Sequence, residues 1–107
     1  MAHSISVKTV KKSNVDGLDF DTIALGRTFT DHMFVCDYEE GQWCNPRITP
    51  MDTIPMHPAC MALHYGQALF EGMKATLGTK GAPLLFRPEK NAERLNFSAR
   101  RLGMPEF

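Results

Sequence analysis

Met61-Ala62-Leu63-His64-Tyr65-Gly66-Gln67-Ala68-Leu69-Phe70-Glu71-Gly72-Met73-Lys74-Ala75 is the stretch whose pattern organises the rest of this chain. Leu63 and Gln67 stand four apart and Ala62 and Leu69 seven apart, a helical spacing that puts Ala62 and Leu69 on one side of a short helix. From Leu69 the period changes to two. Leu69, Glu71, Met73 and Ala75 then share one face of an expected strand, and Phe70, Gly72 and Lys74 share the other. That second face offers an apolar wall, a gap where a group can approach the backbone closely, and a cation.

Working outward, Leu77 to Pro83 reads as a turn between two strands, with Leu84-Leu85-Phe86 as the second of them. Pro88 suits a first helical position, and Glu89 stands favourably in the first turn. The helix expected from about Pro88 to Leu102 carries Ala92, Leu95, Ala99 and Leu102 as one apolar stripe, and Gly103 stops it. Upstream, Phe29 and the run from Met33 to Tyr38 are rich in β-branched and aromatic residues. Glu39-Glu40-Gly41-Gln42 then reads as a hairpin turn into Trp43-Cys44. Pro46, Pro50, Pro55 and Pro58 make the section from Asn45 to Pro58 an expected surface connector, too proline-rich for a helix or a central strand. Residues 1 to 22 form an N-terminal arm, polar and loosely held, with at most one edge strand among Ile5, Val7 and Val10 and with solvated lysines. The fold class is α+β, a small antiparallel sheet with a C-terminal helix, over residues 23 to 107.

A chain of 107 residues is one domain at most, at a size where roughly 60 to 70% of the unfolded surface is buried on folding. Its 12 basic and 12 acidic residues cancel, so no basic excess supports binding to nucleic acid or to a membrane surface. No run reaches the roughly 20 apolar residues of a membrane span. Three cysteines, Cys36, Cys44 and Cys60, leave one unpaired in any disulfide scheme, and no signal-peptide pattern opens the chain. A reducing, cytoplasmic setting is the expectation.

Few residues stand out chemically. Arg94 lies one turn into the last helix beside its apolar stripe, at the core edge, where a guanidinium can make a two-pronged contact with a phosphate. Taken alone, such an arginine is ordinarily a solvated helical residue. Tyr65 and Phe70 can wall an apolar side-chain pocket with Gly72 and Lys74 as neighbours. Taken alone, the aromatics are ordinarily core and Lys74 snorkels to solvent. His57, Cys60 and His64 could ligate zinc, with Cys36 or Cys44 adding a fourth ligand. Their spacing matches no common finger, Pro58 interrupts it, and Cys-x-x-Cys is missing, so no metal is expected. His32 and His64 are expected to be hydrogen-bonded structural residues. No phosphate-binding glycine loop, nucleophile elbow or zinc-protease motif occurs.

Leu63-His64-Tyr65-Gly66-Gln67 with Phe70-Glu71-Gly72-Met73-Lys74-Ala75 resembles a segment of the branched-chain amino acid aminotransferases, class IV, fold type IV pyridoxal-phosphate enzymes. Phe29-Thr30-Asp31-His32-Met33 upstream agrees in order and rough spacing, as does Leu85-Phe86-Arg87-Pro88 with Asn91, Arg94, Ser98 and Arg101 downstream. The resemblance covers most of residues 26 to 105. It implies that Arg94 holds the phosphate of pyridoxal 5'-phosphate and that Tyr65 and Phe70 line the pocket for the substrate's branched chain, with Gly72 and Lys74 beside them. Near Leu25 the family often carries a larger aromatic, which implies a roomier or differently completed pocket here.

The resemblance further implies transfer of the amino group of leucine, isoleucine or valine to 2-oxoglutarate by a homodimer. Schiff-base chemistry needs a lysine, and Lys8, Lys11, Lys12, Lys74, Lys80 and Lys90 do not match the family's catalytic one, which lies in a second domain. Helix stop and proline at Gly103 to Pro105 read as though another element were about to begin. The expectation is therefore a partial small domain, inactive alone. The alternatives are a non-catalytic association module, or a D-amino-acid aminotransferase or aminodeoxychorismate lyase of the same fold.

Overall fold

In the computed structural model, which describes residues Ser4 to Phe107, the chain forms two compact units, one ending at Pro55 and one running from Met56 to Phe107. The first is built on a hairpin of β2 (His32–Glu39) and β3 (Gln42–Pro50), joined by Glu40-Gly41. A two-residue hairpin loop needs positive φ at both positions to match strand twist, and Glu40 and Gly41 adopt φ of 50° and 83°. Next to the turn the Tyr38 and Trp43 rings pair across the strands edge to face, with centroids 5.0 Å apart.

Pro46, assigned from sequence to a connector, lies inside β3, the central strand of a sheet ordered β1-β3-β2 in which β1 is Ser6–Val7. A β-bulge accommodates it. Val35 pairs with Arg47 and Asp37 with Cys44, so Cys36 on one strand faces Asn45 and Pro46 on the other. Asn45 takes the left-handed conformation at φ 51°, which asparagine tolerates well. The ladder is interrupted here, and β1 pairs with β3 only at Arg47 and Ile48, so the missing Pro46 N–H costs no bond. The Arg47 guanidinium spans the bulge to the Asp37 carboxylate at 2.6 Å and holds its pKa below the usual range.

The arm contains one edge strand, as expected, and is tied to the sheet beyond it by hydrogen bonds. β1 runs parallel to β3, and Lys8 N–H donates to the Ile48 carbonyl at 2.9 Å. Val10 N–H donates to His32 Nε2 at 3.0 Å. Ser13 Oγ and Asn14 N–H donate to the two Asp31 oxygens at 2.6 and 3.0 Å. Polar residues at a strand entrance thus satisfy backbone donors that the arm cannot satisfy itself.

The second unit holds α1 (Met61–His64), a hairpin of β4 (Ala75–Leu77) and β5 (Pro83–Leu85), and α2 (Pro88–Arg101). Pro88 opens α2, whose missing N–H needs no partner in the first turn. Gly103, at φ 65°, follows its C-terminal turn. The strand expected from Leu69 does not form. Residues 66 to 74 run without regular pairing, and β4 begins only at Ala75, because Leu85 is the last residue of β5 available to pair with it. The period-two alternation survives in the burial only over residues 69 to 72: Leu69 and Glu71 are half-buried and Phe70 and Gly72 exposed, but Met73 and Ala75 are exposed as well.

The expected helical stripe is only partly covered. Ala99 is the one fully buried residue among the described residues and Leu95 is half-buried, but Ala92 and Leu102 are exposed. Asn91, Asn96 and Ser98 are half-buried instead, and at Asn91 the cover comes from the Glu71 side chain of the 66 to 74 segment. No helix among the described residues is long and apolar enough to cross a membrane.

Candidate functional site

Asn91 and Arg94 are three apart on α2, and that spacing puts both on one helix face. The irregular segment is moored along this helix. Gln67 Nε2 donates to the Leu102 carbonyl at 2.9 Å at the C-terminal end, and Asn91 Nδ2 donates to the Gly72 carbonyl at 2.8 Å nearer the start. Between these ties Glu71 meets Arg94. Arg94 Nε donates to Oε2 at 2.7 Å and Nη2 donates to Oε1. Oε1 also accepts from Asn91 Nδ2 at 3.0 Å and from the Gly72 N–H at 3.1 Å.

Glu71 is therefore the most heavily engaged carboxylate described. The Arg94 hydrogen bonds, opposed by partial desolvation and helped by Asn91, hold its pKa down to about 2 from 4.5. The same pairing raises the pKa of Arg94 above the usual guanidinium range. The two partners differ in exposure: the Glu71 side chain is 14% exposed and that of Arg94 67%. The guanidinium thus spends one edge on an inward carboxylate and keeps the Nη1 side toward solvent. In donor chemistry that outer edge suits a bidentate anion such as phosphate.

The other residues singled out from sequence are exposed residues of the same unit. Tyr65 follows α1 and is 80% exposed, Phe70 is 93% exposed, and Gly72 and Lys74 are exposed as well. The rings do not enclose a cavity within this unit. A concave apolar space lies instead in the unit ending at Pro55, a cleft of about 480 Å³ lined by Val15, Leu18, Phe20, Ile23 and Phe29 above Asp31.

Two histidines have the structural roles expected of them, His32 accepting from Val10 N–H and His64 Nε2 donating to the Pro58 carbonyl at 2.5 Å. His57 Nδ1 accepts from Ala59 N–H at 3.0 Å. Among the described residues no group of three or more His, Cys, Asp or Glu side chains is placed to hold a metal ion. Sequence reasoning missed Glu71 as the partner of Arg94. The available signal was that it is the only carboxylate between Met61 and Ala75, facing a helix with Asn91 and Arg94 on one side.

No family model matches the chain. Individual proteins do, and they define its class: the chain is a homologue of aminotransferases. More particularly, its relatives are branched-chain-amino-acid aminotransferases. Over 90 residues it is 52% identical to branched-chain-amino-acid aminotransferase 2 of Bacillus subtilis (strain 168), covering 83% of this chain and 25% of that protein. Over 86 residues it is 49% identical to the mitochondrial branched-chain-amino-acid aminotransferase of Bos taurus, covering 79% and 22%. Over 107 residues it is 38% identical to the mitochondrial enzyme of Mus musculus, covering 99% and 27%. The chain spans about a quarter of the length of the curated relatives it matches.

Proposed function

We propose that this chain contributes part of the small domain of a class IV branched-chain amino acid aminotransferase, in which Arg94 holds the cofactor phosphate. The observation that carries the reading is the 52% identity to a branched-chain aminotransferase, together with a guanidinium whose outer edge is left unpaired on α2. Pyridoxal phosphate, when bound, supplies the electron sink through which an amino group passes between an amino acid and a 2-oxo acid.

The chain's own residues bind and orient. Arg94 would hold the phosphate end of the cofactor by charge and by the N–H donors of its free guanidinium edge. Tyr65 and Phe70 present apolar faces to the branched side chain of leucine, isoleucine or valine. Gly72 lets the substrate approach the backbone, and Lys74 places a cation beside it. 2-Oxoglutarate is the acceptor in this reading, and the Schiff-base lysine is assigned to no residue of this chain. The setting is cytoplasmic and the working form a homodimer, whose second copy would cover exposed rings such as Tyr65 and Phe70.

The test mixes the chain with the Bacillus subtilis relative shortened by the matching quarter. Leucine, 2-oxoglutarate and pyridoxal phosphate are then supplied and glutamate is measured. Glutamate is expected only with both pieces present. Turnover by the 107-residue chain alone, or its failure to support any with the partner piece, refutes the reading.

A second reading, association without catalysis, is favoured by one observation. Phe70, Phe86, Leu77 and Phe97 are all more than half exposed. Sedimentation separates the two, since a chain that stays monomeric at high concentration is no association module.

A further inference from the structure

We infer that Glu71 is a positioning residue for the phosphate grip of Arg94, holding the inner edge of the guanidinium so that its outer edge is presented to the phosphate. This rests on the reading of Arg94 as the phosphate-holding residue. An arginine on a helix surface has four rotatable bonds, and immobilising them is a cost that each binding event must otherwise meet. Here the cost is met within the chain. Nε and Nη2 are bound to Oε2 and Oε1, a fork that fixes both the direction and the roll of the guanidinium plane.

Glu71 is itself fixed. Asn91 Nδ2 at 3.0 Å and the Gly72 N–H at 3.1 Å hold Oε1, and Asn91 also holds the Gly72 carbonyl at 2.8 Å, so the carboxylate and the backbone that carries it are tied to the helix bearing Arg94. The Nη1 group and the second Nη2 hydrogen make no hydrogen bond among the described residues. The difference in exposure, 14% for Glu71 against 67% for Arg94, sets the carboxylate behind the guanidinium and not in front of it. A phosphate arriving from solvent thus meets the free edge without displacing the carboxylate. The low Glu71 pKa keeps the carboxylate ionised throughout the neutral range.

The inference assigns Glu71 a role distinct from pocket lining. Its removal should weaken recognition of the phosphate while leaving recognition of the ring untouched. The experiment compares binding of pyridoxal phosphate, pyridoxal and inorganic phosphate to the full chain and to its Glu71→Gln and Arg94→Gln variants, with nitrogen-edited NMR of the arginine side chains as a second readout. In the unaltered chain the Arg94 Nε–H signal is expected downfield, as for a carboxylate-bonded proton, and unmoved by phosphate, while the Nη signals shift.

Glu71→Gln should erase that Nε–H signature. It should also weaken pyridoxal phosphate about tenfold, the scale seen when the orienting partner of a metal ligand is removed, with pyridoxal binding unchanged. If Glu71→Gln does not fold, Glu71→Asp, which withdraws the carboxylate by one methylene, should show the same loss of preference for phosphate. Unchanged or tighter phosphate binding in Glu71→Gln, with Arg94→Gln abolishing it, overturns the positioning role alone. Phosphate binding that survives Arg94→Gln, or that is missing from the unaltered chain, overturns the Arg94 reading and this inference with it. Equal weakening of pyridoxal and pyridoxal phosphate marks a purely structural role and overturns it too.

Discussion

Gly72→Ala separates what the fold requires of this position from what a ligand requires. A Cβ built at Gly72 meets no heavy atom within 4 Å, and the residue does not occupy the left-handed region. Its two backbone hydrogen bonds, N–H to Glu71 Oε1 at 3.1 Å and carbonyl from Asn91 Nδ2 at 2.8 Å, are untouched by a methyl group. Among the described residues nothing therefore asks for glycine. Alanine narrows the unfolded ensemble and should stabilise by about 0.4–1 kcal/mol, a rise in melting temperature of about 2–6 °C for a chain this size.

Thermal melts of the 107-residue chain followed by circular dichroism read that change directly. The same substitution in the two-piece transamination mixture should raise KM for leucine, because the methyl group occupies the approach to the backbone proposed for the substrate. A fall in melting temperature would refute the structural argument. A rise in melting temperature with unchanged KM would refute the role of Gly72 in substrate approach.

Gly41→Ala should act in the opposite direction: there is open space where its side chain would stand, but the residue sits at φ 83°, so a side chain there should cost about 1 kcal/mol and lower the melting temperature by several degrees. Asn91→Ala removes the tie to Glu71 and the Gly72 carbonyl and should cost about 1 kcal/mol in the same melts, with faster amide exchange at Gly72 as its local signature. Acid should destabilise the chain in a defined window. Glu71 has a depressed folded pKa, so its contribution is complete above the ordinary 4.5 and is lost as pH falls toward about 2, and Asp31 and Asp37, also depressed, act in the same sense. Acid titration monitored by circular dichroism checks this, and Glu71→Gln should flatten the curve between those two values.

The candidate site was half legible. Arg94 can be picked out because a helix position beside an apolar stripe is set by local spacing. Its partner was not, because Glu71 lies 23 residues away in a segment without regular structure. Period-two alternation grouped Leu69, Glu71, Met73 and Ala75 on one face; only Leu69 and Glu71 of these are half-buried, Met73 and Ala75 are exposed, and the strand that normally accompanies such a pattern is missing.

What the sequence by itself determined are the features that neighbours in the chain decide among themselves: the Glu40-Gly41 turn, the hairpin around it, and α2 from its proline start to its glycine stop. Turn geometry, β-propensity and helix capping act over a few residues, so local residue types suffice. Only the tertiary structure decided that Pro46 enters a central strand, because whether its missing N–H matters depends on where Cys36 and β1 stand opposite it. It likewise decided that residues 66 to 74 remain unpaired, and that the segment's carboxylate goes to Arg94. A strand needs a partner edge and an ion pair needs a second residue, and neither is written in the segment that requires it.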